Sequence, residues 1–445
     1  MSTLAILLML GVFLLLAFTG TPVAVAMLSG ALVGGLFADV SYATIIGRMF
    51  NGVNSVPLMA IPFFMLLAQQ MDSSRIAAII IKFAQSLVGH IRSGLAQVNA
   101  LFSIMFAGIS GSAAADVAAN SRVLLPAMKR EGYDPASSAA LIAAASTIAI
   151  MIPPSVMAII YGAATGVSVS ALFLAGFIPG GAVGISLMIY SYFFVKSSAK
   201  HERAKFIDVL HAGRRATLPI LVPGLILVGM LTGQFTATEA GMVAVIYTTL
   251  VVIPILARKH TVRFFRDLIE GGVLTSLPLL AVSCASVFAW LFTYFGGADV
   301  VANLMENVGG GGAAATLILL VLLMVIVGQF IDATPAIILF APIILEIQRS
   351  SDINPVHMGV IVIVTMALGM VTPPYGISLL LATSFAKVPF FAGVRKMIPI
   401  YSIFAVIILG LILFPDIALW LPRIFVPQAA GCLPAPDISG GFICH

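Results

Sequence analysis

A chain of 445 residues that is 61% hydrophobic and 9% charged cannot cover a soluble surface, because soluble proteins carry roughly a quarter of their residues as charges. The formal charge of +5 sits in connecting segments rather than on one basic face, which excludes a nucleic-acid-binding domain. These values predict an all-α polytopic membrane protein of about ten spans of roughly 20 residues each.

Residues 3–19 and 22–38 read as two apolar helices joined at Thr19-Gly20-Thr21-Pro22. The start, MSTLAILLMLGVFLLLAFTG, lacks a basic n-region and an evident cleavage site, so it reads as a retained span rather than a signal peptide. Residues 39–55 form a short amphipathic connection, and 56–71 a third apolar helix with Pro57 and Pro62 near its start. Residues 74–92, where Arg75, Lys82 and His90 interrupt an apolar run, read as an interfacial helix. Residues 94–129 are too long for one crossing: about 36 helical residues reach ~54 Å, against a hydrocarbon core of ~30 Å. With Ser110-Gly111-Ser112 at its middle, this segment is expected to be a re-entrant hairpin. Residues 134–164 form a crossing broken at Ile152-Pro153-Pro154-Ser155, where two prolines remove two amide donors. Residues 169–195 cross again, and the polar run 196–215 is a linker between halves.

The second half repeats the plan. Helices 216–232 and 236–257 are joined at Gly233-Gln234-Phe235-Thr236, where Thr236 or Thr238 is expected to cap the second and Glu239 to be structural. An amphipathic segment 259–270, a crossing 274–296 and a surface segment 297–312 follow. A second hairpin is expected over 313–347 with Asp332-Ala333-Thr334-Pro335 at its middle, then a second broken crossing 357–386 at Thr372-Pro373-Pro374-Tyr375. Residues 398–421 are the last crossing, and 423–445 a Pro/Gly-rich tail. Pro153 and Pro373 are 220 residues apart, as are Gly108 and Gly328, which marks a duplicated unit.

Five crossings per half is an odd number, so the repeats 1–195 and 216–422 are expected to have inverted topology. All 22 basic residues except Arg48, Arg349 and Arg423 then fall on one side or on the hairpin that enters from it. The positive-inside rule makes that side cytoplasmic and places both termini, with the tail, outside.

Two tips and two breaks, one pair per half, are expected to meet near the bilayer midplane. Broken helices offer carbonyl oxygens to a cation and free amides to an anion. Ser110, Gly111, Ser112, Ser155, Asp332, Thr334, Thr372 and Tyr375 are the candidate substrate-binding residues. Ser110, Ser112, Ser146, Thr147, Pro153, Asp332, Ala333, Thr334, Thr372 and Pro373 are the candidate Na⁺ ligands, since hard oxygens suit an alkali ion. The bland alternative is that the hydroxyls bond back to carbonyls, and that Asp332 caps the helix at Pro335. Asp116 and Arg122 are expected to form a local charge pair or an interface anchor, and no histidine cluster or nucleophile with a base points to an enzyme.

GISGSAAADVAAN with LLPAM, IPPS, GQFIDATP and VTPPYG together resemble the large membrane subunit of tripartite ATP-independent periplasmic (TRAP) transporters, up to about Pro422. The resemblance implies Na⁺-driven uptake of an organic acid, such as a C4-dicarboxylate or sialic acid, through a bacterial inner membrane. It also implies a small four-helix membrane subunit and a periplasmic substrate-binding protein as partners, besides membrane lipids. The implied mechanism is an elevator of the ion-transporter-superfamily kind. Hairpins 94–129 and 313–347 with crossings 134–164 and 357–386 would move against a scaffold made from the first two helices of each half and its last crossing. The small subunit is expected to be a separate chain. A stand-alone Na⁺/dicarboxylate or citrate symporter is the alternative within transport, and a membrane subunit of an energy-coupling complex the alternative outside it. Cys284 reads as core, and Cys432 and Cys444 leave a tail disulfide open.

Overall fold

The computed structural model describes residues 2–38, 40–196, 202–301, 303, 312–431, 433–434 and 442–443. The chain is helical throughout these, apart from a two-residue antiparallel pairing of Leu433 with Ile443 and Pro434 with Phe442. Cys432, Cys444 and most of the surface segment before the second hairpin lie outside the described residues. Among the described residues, five helices are each long and apolar enough to cross a membrane: Val169–Phe194, Phe206–Leu231, Ala237–Leu256, Phe264–Tyr294 and Phe390–Leu413. Tyr42–Val53 and Pro57–Ser73 make a sixth candidate, bent by 65°.

Both expected breaks in each half are present. The first hairpin has arms Gly94–Ser110 and Ala113–Arg130. Ser103 Oγ donates to Asp116 Oδ2 at 2.8 Å and accepts from Asn120 Nδ2 at 3.0 Å across the break. In one straight helix Ser103 and Asp116 would be separated by about 20 Å, so the arms run back along each other. The first broken crossing consists of Pro135–Ser146, a 3₁₀ turn Thr147–Ile150 and Val156–Thr165. In the second half the arms are Ala313–Gly328 and Ala333–Ser350, and the broken crossing is Pro355–Gly369 and Ile377–Ala386. Both Pro-Pro peptide bonds are cis.

The two halves interlock through these pieces. Val156–Thr165 packs on Ala333–Ser350, and Ile377–Ala386 packs on Ala113–Arg130. The later piece of each broken crossing thus covers the outgoing arm of the other half's hairpin. Pro355–Gly369 is buried from Val356 to Gly369, which puts it at the centre of the molecule. Helix Phe264–Tyr294 forms a wall against Val23–Ala38, Ala60–Ser73 and Ala333–Ser350. Tyr42–Val53 lies across it, with the Arg48 guanidinium 4.8 Å from the Trp290 ring centre.

Several boundaries differ from those expected. The linker 196–215 is partly helical, because helix Phe206–Leu231 begins ten residues before the predicted 216. The amphipathic segment 259–270 and crossing 274–296 merge: Phe264–Tyr294 is one helix of 31 residues, and Gly271-Gly272 does not interrupt it. Gly271 sits against Leu66, whose Cα would lie 3.2 Å from an added Cβ, so tertiary contact rather than propensity sets that stretch. The last crossing runs Phe390–Leu413 instead of 398–421. A separate helix Asp416–Phe425 follows, because Pro415 has no amide to continue the ladder. The expected interfacial helix is Ile76–Val88, and it buries Ile76, Ala77, Ile80, Ile81 and Ala84 against Gly94–Ser110 and Phe206–Leu231.

Two helix caps follow local side-chain rules. Thr236 and Glu239 form a reciprocal capping box, so Glu239 is structural as expected. Asp134 caps Pro135–Ser146: its Oδ2 accepts from Ser137 N at 3.1 Å and Ser137 Oγ at 2.7 Å, and Lys396 Nζ lies 3.1 Å away. Burial pushes the Asp134 carboxyl up, but Ser137 and Lys396 outweigh it and hold it below the ordinary value of 3.8. Asp134→Ala is therefore expected to cost about 1 kcal/mol at neutral pH. A depressed carboxyl contributes its stability above the ordinary value and loses it as pH falls through the folded value. The gap in thermal midpoint between wild type and variant should thus be full at neutral pH and close only in strong acid.

Candidate functional site

The four breaks create four new helix starts, and these converge. A cavity of about 570 Å³ is lined by Gly111, Ser112, Ala113 and Ala114 from the first tip, and by Val156 and Met157 after the first break. Asp332, Thr334 and Pro335 come from the second tip, and Tyr375 and Ile377 from the second break. Each group opens a helix, so the positive dipole ends of four helices gather around one space, although some of their amides, such as those of Val156, Ala158 and Ser378, are already bonded within the protein. The opposite wall is apolar: Pro22 to Val25, Met65, and Leu274 to Ala281 of helix Phe264–Tyr294. The lining includes no lysine or arginine, and its one carboxylate is Asp332.

Each break is tied to the tip of its own half by a backbone hydrogen bond. Val156 N donates to Gly111 O at 3.4 Å, and Tyr375 N donates to Gln329 O at 3.1 Å. Gly111 has φ +58°, and a Cβ there would run into Pro154 O. In the second half Gly328 and Gly369 meet backbone to backbone, with 3.0 Å between an added Gly369 Cβ and Gly328 Cα. Glycine is required where two backbones approach so closely.

The predicted site residues divide into those that line the cavity and those that support it. Gly111, Ser112, Asp332, Thr334 and Tyr375 line it. Ser112 and Asp332 are both N-cap residues, and neither makes a side-chain cap bond. Asp332 occupies the expected cap position. Its carboxylate lies beside the Ala333 and Thr334 amides and faces the cavity. Thr334 Oγ1 reaches across the halves to Met157 Sδ at 4.0 Å. The other hydroxyls back-bond within their own segments. Ser146 donates to Ile142 O at 2.7 Å, Thr147 to Ala144 O at 2.7 Å and Thr372 to Gly369 O at 3.1 Å. Ser155 donates to Ile150 O and accepts from Ala158 N at 3.1 Å. Ser110 is buried, and its oxygen accepts from Ser112 N at 3.5 Å. A hydroxyl whose hydrogen is committed still presents a lone pair, so these groups keep the capacity to ligate a cation. Ala333 is buried behind Asp332, and Pro153 and Pro373 stand at the two breaks.

Sequence reasoning missed the second chamber. A space of about 730 Å³ shares Met65, Ser112, Ala114 and Leu274 with the first cavity and leads to a charged rim. The rim holds Gln69, Asp72, Arg122, Arg263, Arg266, Asp267 and Glu270. Arg122 pairs with Asp72 at 2.8 Å and Arg266 with Glu270 at 2.7 Å. The expected local pair of Asp116 with Arg122 does not form: Arg122 turns outward to another helix, whereas Asp116 turns inward to Ser103. Six residues of helix place the two side chains on different faces. The signal available was the number of charges in 69–75 and 258–270, which reads from sequence as ordinary flanking polarity.

A family model described as "Tripartite ATP-independent periplasmic transporter, DctM component" matches residues 10–417. The "C4-dicarboxylate TRAP transporter large permease protein DctM" of Pseudomonas aeruginosa is 33% identical over 89% of this chain and 93% of its own length. The "Sialic acid TRAP transporter large permease protein SiaM" of Vibrio cholerae is 31% identical over 92% of this chain and 97% of its own. In fold, the chain is similar to the Alcanivorax borkumensis YdaH transporter, with a TM-score of 0.56 at 16% identity, over 85% of this chain and 87% of that one.

Gly111→Ala tests the tip-to-break tie. Gly166 also has a left-handed φ, +78°, but its surroundings are open. Both substitutions should cost roughly 1–2 kcal/mol for the backbone conformation. Only Gly111→Ala adds a collision with Pro154 O, so its thermal midpoint should fall clearly further than that of Gly166→Ala; equal losses would mean that the tip is not held against the break.

Proposed function

The chain belongs to the DctM family of TRAP transporter large permeases, and from that premise we propose that it imports an organic acid through a bacterial inner membrane, driven by Na⁺. Members of the family are permease subunits and not enzymes. The observation that carries the reading is the convergence of four half-helix starts and Asp332 on one cavity. Free amides at helix starts bind a carboxylate without a fixed cation. Asp332 with the nearby carbonyl and hydroxyl oxygens supplies hard ligands of opposite preference, which suit an alkali ion.

In this reading the acid sits against the amides of Ser112 to Ala114 and Asp332 to Thr334, with Tyr375 at its edge. Na⁺ is held behind it, where Ser110, Ser112, Ser146, Thr147 and Pro153 in the first half, and Asp332 to Thr334, Thr372 and Pro373 in the second, offer oxygens. The hairpins and broken crossings move as one body against helices such as Val23–Ala38 and Phe264–Tyr294, exposing the cavity to each side in turn. The charged chamber is the cytoplasmic exit, because it opens among the residues that the positive-inside rule places there. A periplasmic binding protein delivers the acid, and a small membrane subunit braces the scaffold. The named relatives handle a C4-dicarboxylate and sialic acid, so the class proposed for this chain is a carboxylate whose identity is selected largely by the binding protein.

The chain, its small subunit and its binding protein should be reconstituted in vesicles and supplied with a panel of labelled organic acids. Uptake should require an inward Na⁺ gradient. Asp332→Asn should lower Na⁺-driven uptake about tenfold or more, the scale of one lost hydrogen bond to a charged group, while the protein still inserts. Full wild-type uptake in Na⁺-free medium under a proton gradient alone would refute the coupling. Uptake unaffected by omitting the binding protein would favour a stand-alone symporter.

A further inference from the structure

A third cavity, of about 350 Å³, stands where the start of Pro135–Ser146, the end of Val169–Phe194 and helix Phe390–Leu413 come together. It shares no lining residue with the central cavity or the charged chamber. The space is roughly ten times the volume of one water and falls within the size range of small-molecule pockets. Its charged lining is Asp134, Lys196 and Lys396, two ammonium groups against one carboxylate. Asp134 is already engaged: Lys396 Nζ lies 3.1 Å from its Oδ2, and that oxygen also caps Pro135–Ser146 through Ser137. Lys196 makes no ion pair among the described residues, and Tyr190 Oη makes no hydrogen bond there. One ammonium and one hydroxyl are thus left for a ligand.

The backbone that carries these two groups is held in place. Ser93 Oγ donates to Val195 O at 2.5 Å, next to Lys196. The Tyr190 ring stacks on Phe194, with centres 5.3 Å apart and planes 23° from parallel. An apolar track leads away from the pocket. Ile185, Ile189 and Phe193 follow one another at four-residue spacing on one face of Val169–Phe194 and are 57%, 55% and 61% exposed. The track ends at Phe193, three residues before Lys196. A basic pocket between helix ends, continued by an exposed apolar stripe on a span-length helix, matches a phosphate head with acyl chains. A free phosphate would leave the stripe unused. A choline or ethanolamine head would bring a second ammonium among the lysines, with Asp134 already taken. The complement of this lining is a head whose single charge is its phosphodiester.

We propose that this cavity binds the headgroup of an anionic phospholipid of the phosphatidylglycerol type. The phosphodiester sits between Lys196 and Lys396, and Tyr190 Oη donates to one of its oxygens. The acyl chains lie along Ile185, Ile189 and Phe193. The lipid thereby bridges the end of Val169–Phe194 to the starts of Pro135–Ser146 and Phe390–Leu413. The site is independent of how the central cavity works and of what the protein carries.

The test is native mass spectrometry of the full-length protein released from nanodiscs that hold equal amounts of phosphatidylglycerol and phosphatidylcholine. Wild type should retain phosphatidylglycerol in preference. Lys196→Gln should lower that retention roughly tenfold, the scale of one lost hydrogen bond to a charged group, and Tyr190→Phe should lower it by less. Lys196 is exposed, so its replacement leaves the fold intact. Lys82→Gln, which alters an exposed lysine on Ile76–Val88 outside the cavity, should change nothing. Equal retention of the two lipids, or retention unchanged in Lys196→Gln, would overturn the proposal. An equal loss in Lys82→Gln would overturn it by showing diffuse surface attraction, and displacement of the lipid by millimolar inorganic phosphate would make this a free-anion site instead.

Discussion

Breaking a helix inside an apolar interior frees backbone amides and carbonyls that apolar neighbours cannot satisfy, each at a cost of several kcal/mol, and the described residues contain the four breaks at the two tips and the two Pro-Pro pairs. The rest of the structure follows from how those groups are placed. Part of the cost is offset by mutual pairing, since Val156 bonds to Gly111 and Tyr375 to Gln329. Part is offset by side chains, as where Ser155 receives the Ala158 amide. What remains is the set of helix-start amides around the cavity, where Ser112 makes no side-chain cap bond and the Asp332 carboxylate lies beside the Ala333 and Thr334 amides. On the transport reading, an anion entering the cavity would take up the bonding left open at the first tip.

The same constraint separates two uses of small polar residues. Hydroxyls that answer to their own helix, such as Ser146, Thr147 and Thr372, keep broken backbone in place. Glycines at Gly111, Gly328 and Gly369 let tips and breaks touch without a side chain between them. Such a junction is closely packed and hydrogen-bonded inside each half, whereas the wall across the cavity is apolar and, among the described residues, shows no comparable bond to the tips. On the transport reading that asymmetry is where sliding occurs, because apolar side chains on an opposing wall can change partners without leaving a polar group unpaired.

The sequence was most legible where a local rule leaves no alternative. Two adjacent prolines inside an apolar run, repeated 220 residues later, admit only a broken helix, and both breaks stand where the pairs predict. The serine knot of the first hairpin was equally plain, because its segment was too long for the membrane. Legibility failed where distant packing overrode a local signal. The amphipathic segment 259–270 and the crossing 274–296 read as separate, yet helix Phe264–Tyr294 runs through both, with Gly271 packed closely against Leu66. It failed again at Asp116. Six residues of separation suggested Arg122 as a partner, but the hairpin brings Ser103, thirteen residues away, to the carboxyl instead. A reading that first listed the charges available on each neighbouring segment would have found none for Asp116.

The placement of positive charge is itself informative. Lysine and arginine are absent from the cavity lining, whereas the adjoining second chamber has arginines on its rim, where Arg122 pairs with Asp72 and Arg266 with Glu270. A fixed cation at the midplane would attract a carboxylate strongly in a low dielectric, since Coulomb energy at 4 Å rises from about 1 kcal/mol in water to about 4 kcal/mol at an effective dielectric of 20. A carrier must release what it binds, and a site that held its anion by such a pair would release it slowly. Half-charges at helix starts give orientation with a shallower well. If Na⁺ supplies the remaining attraction, binding is strong only while the ion is present and weakens when it departs, so the absence of arginine from the cavity is what would let an ion gradient set the direction of transport.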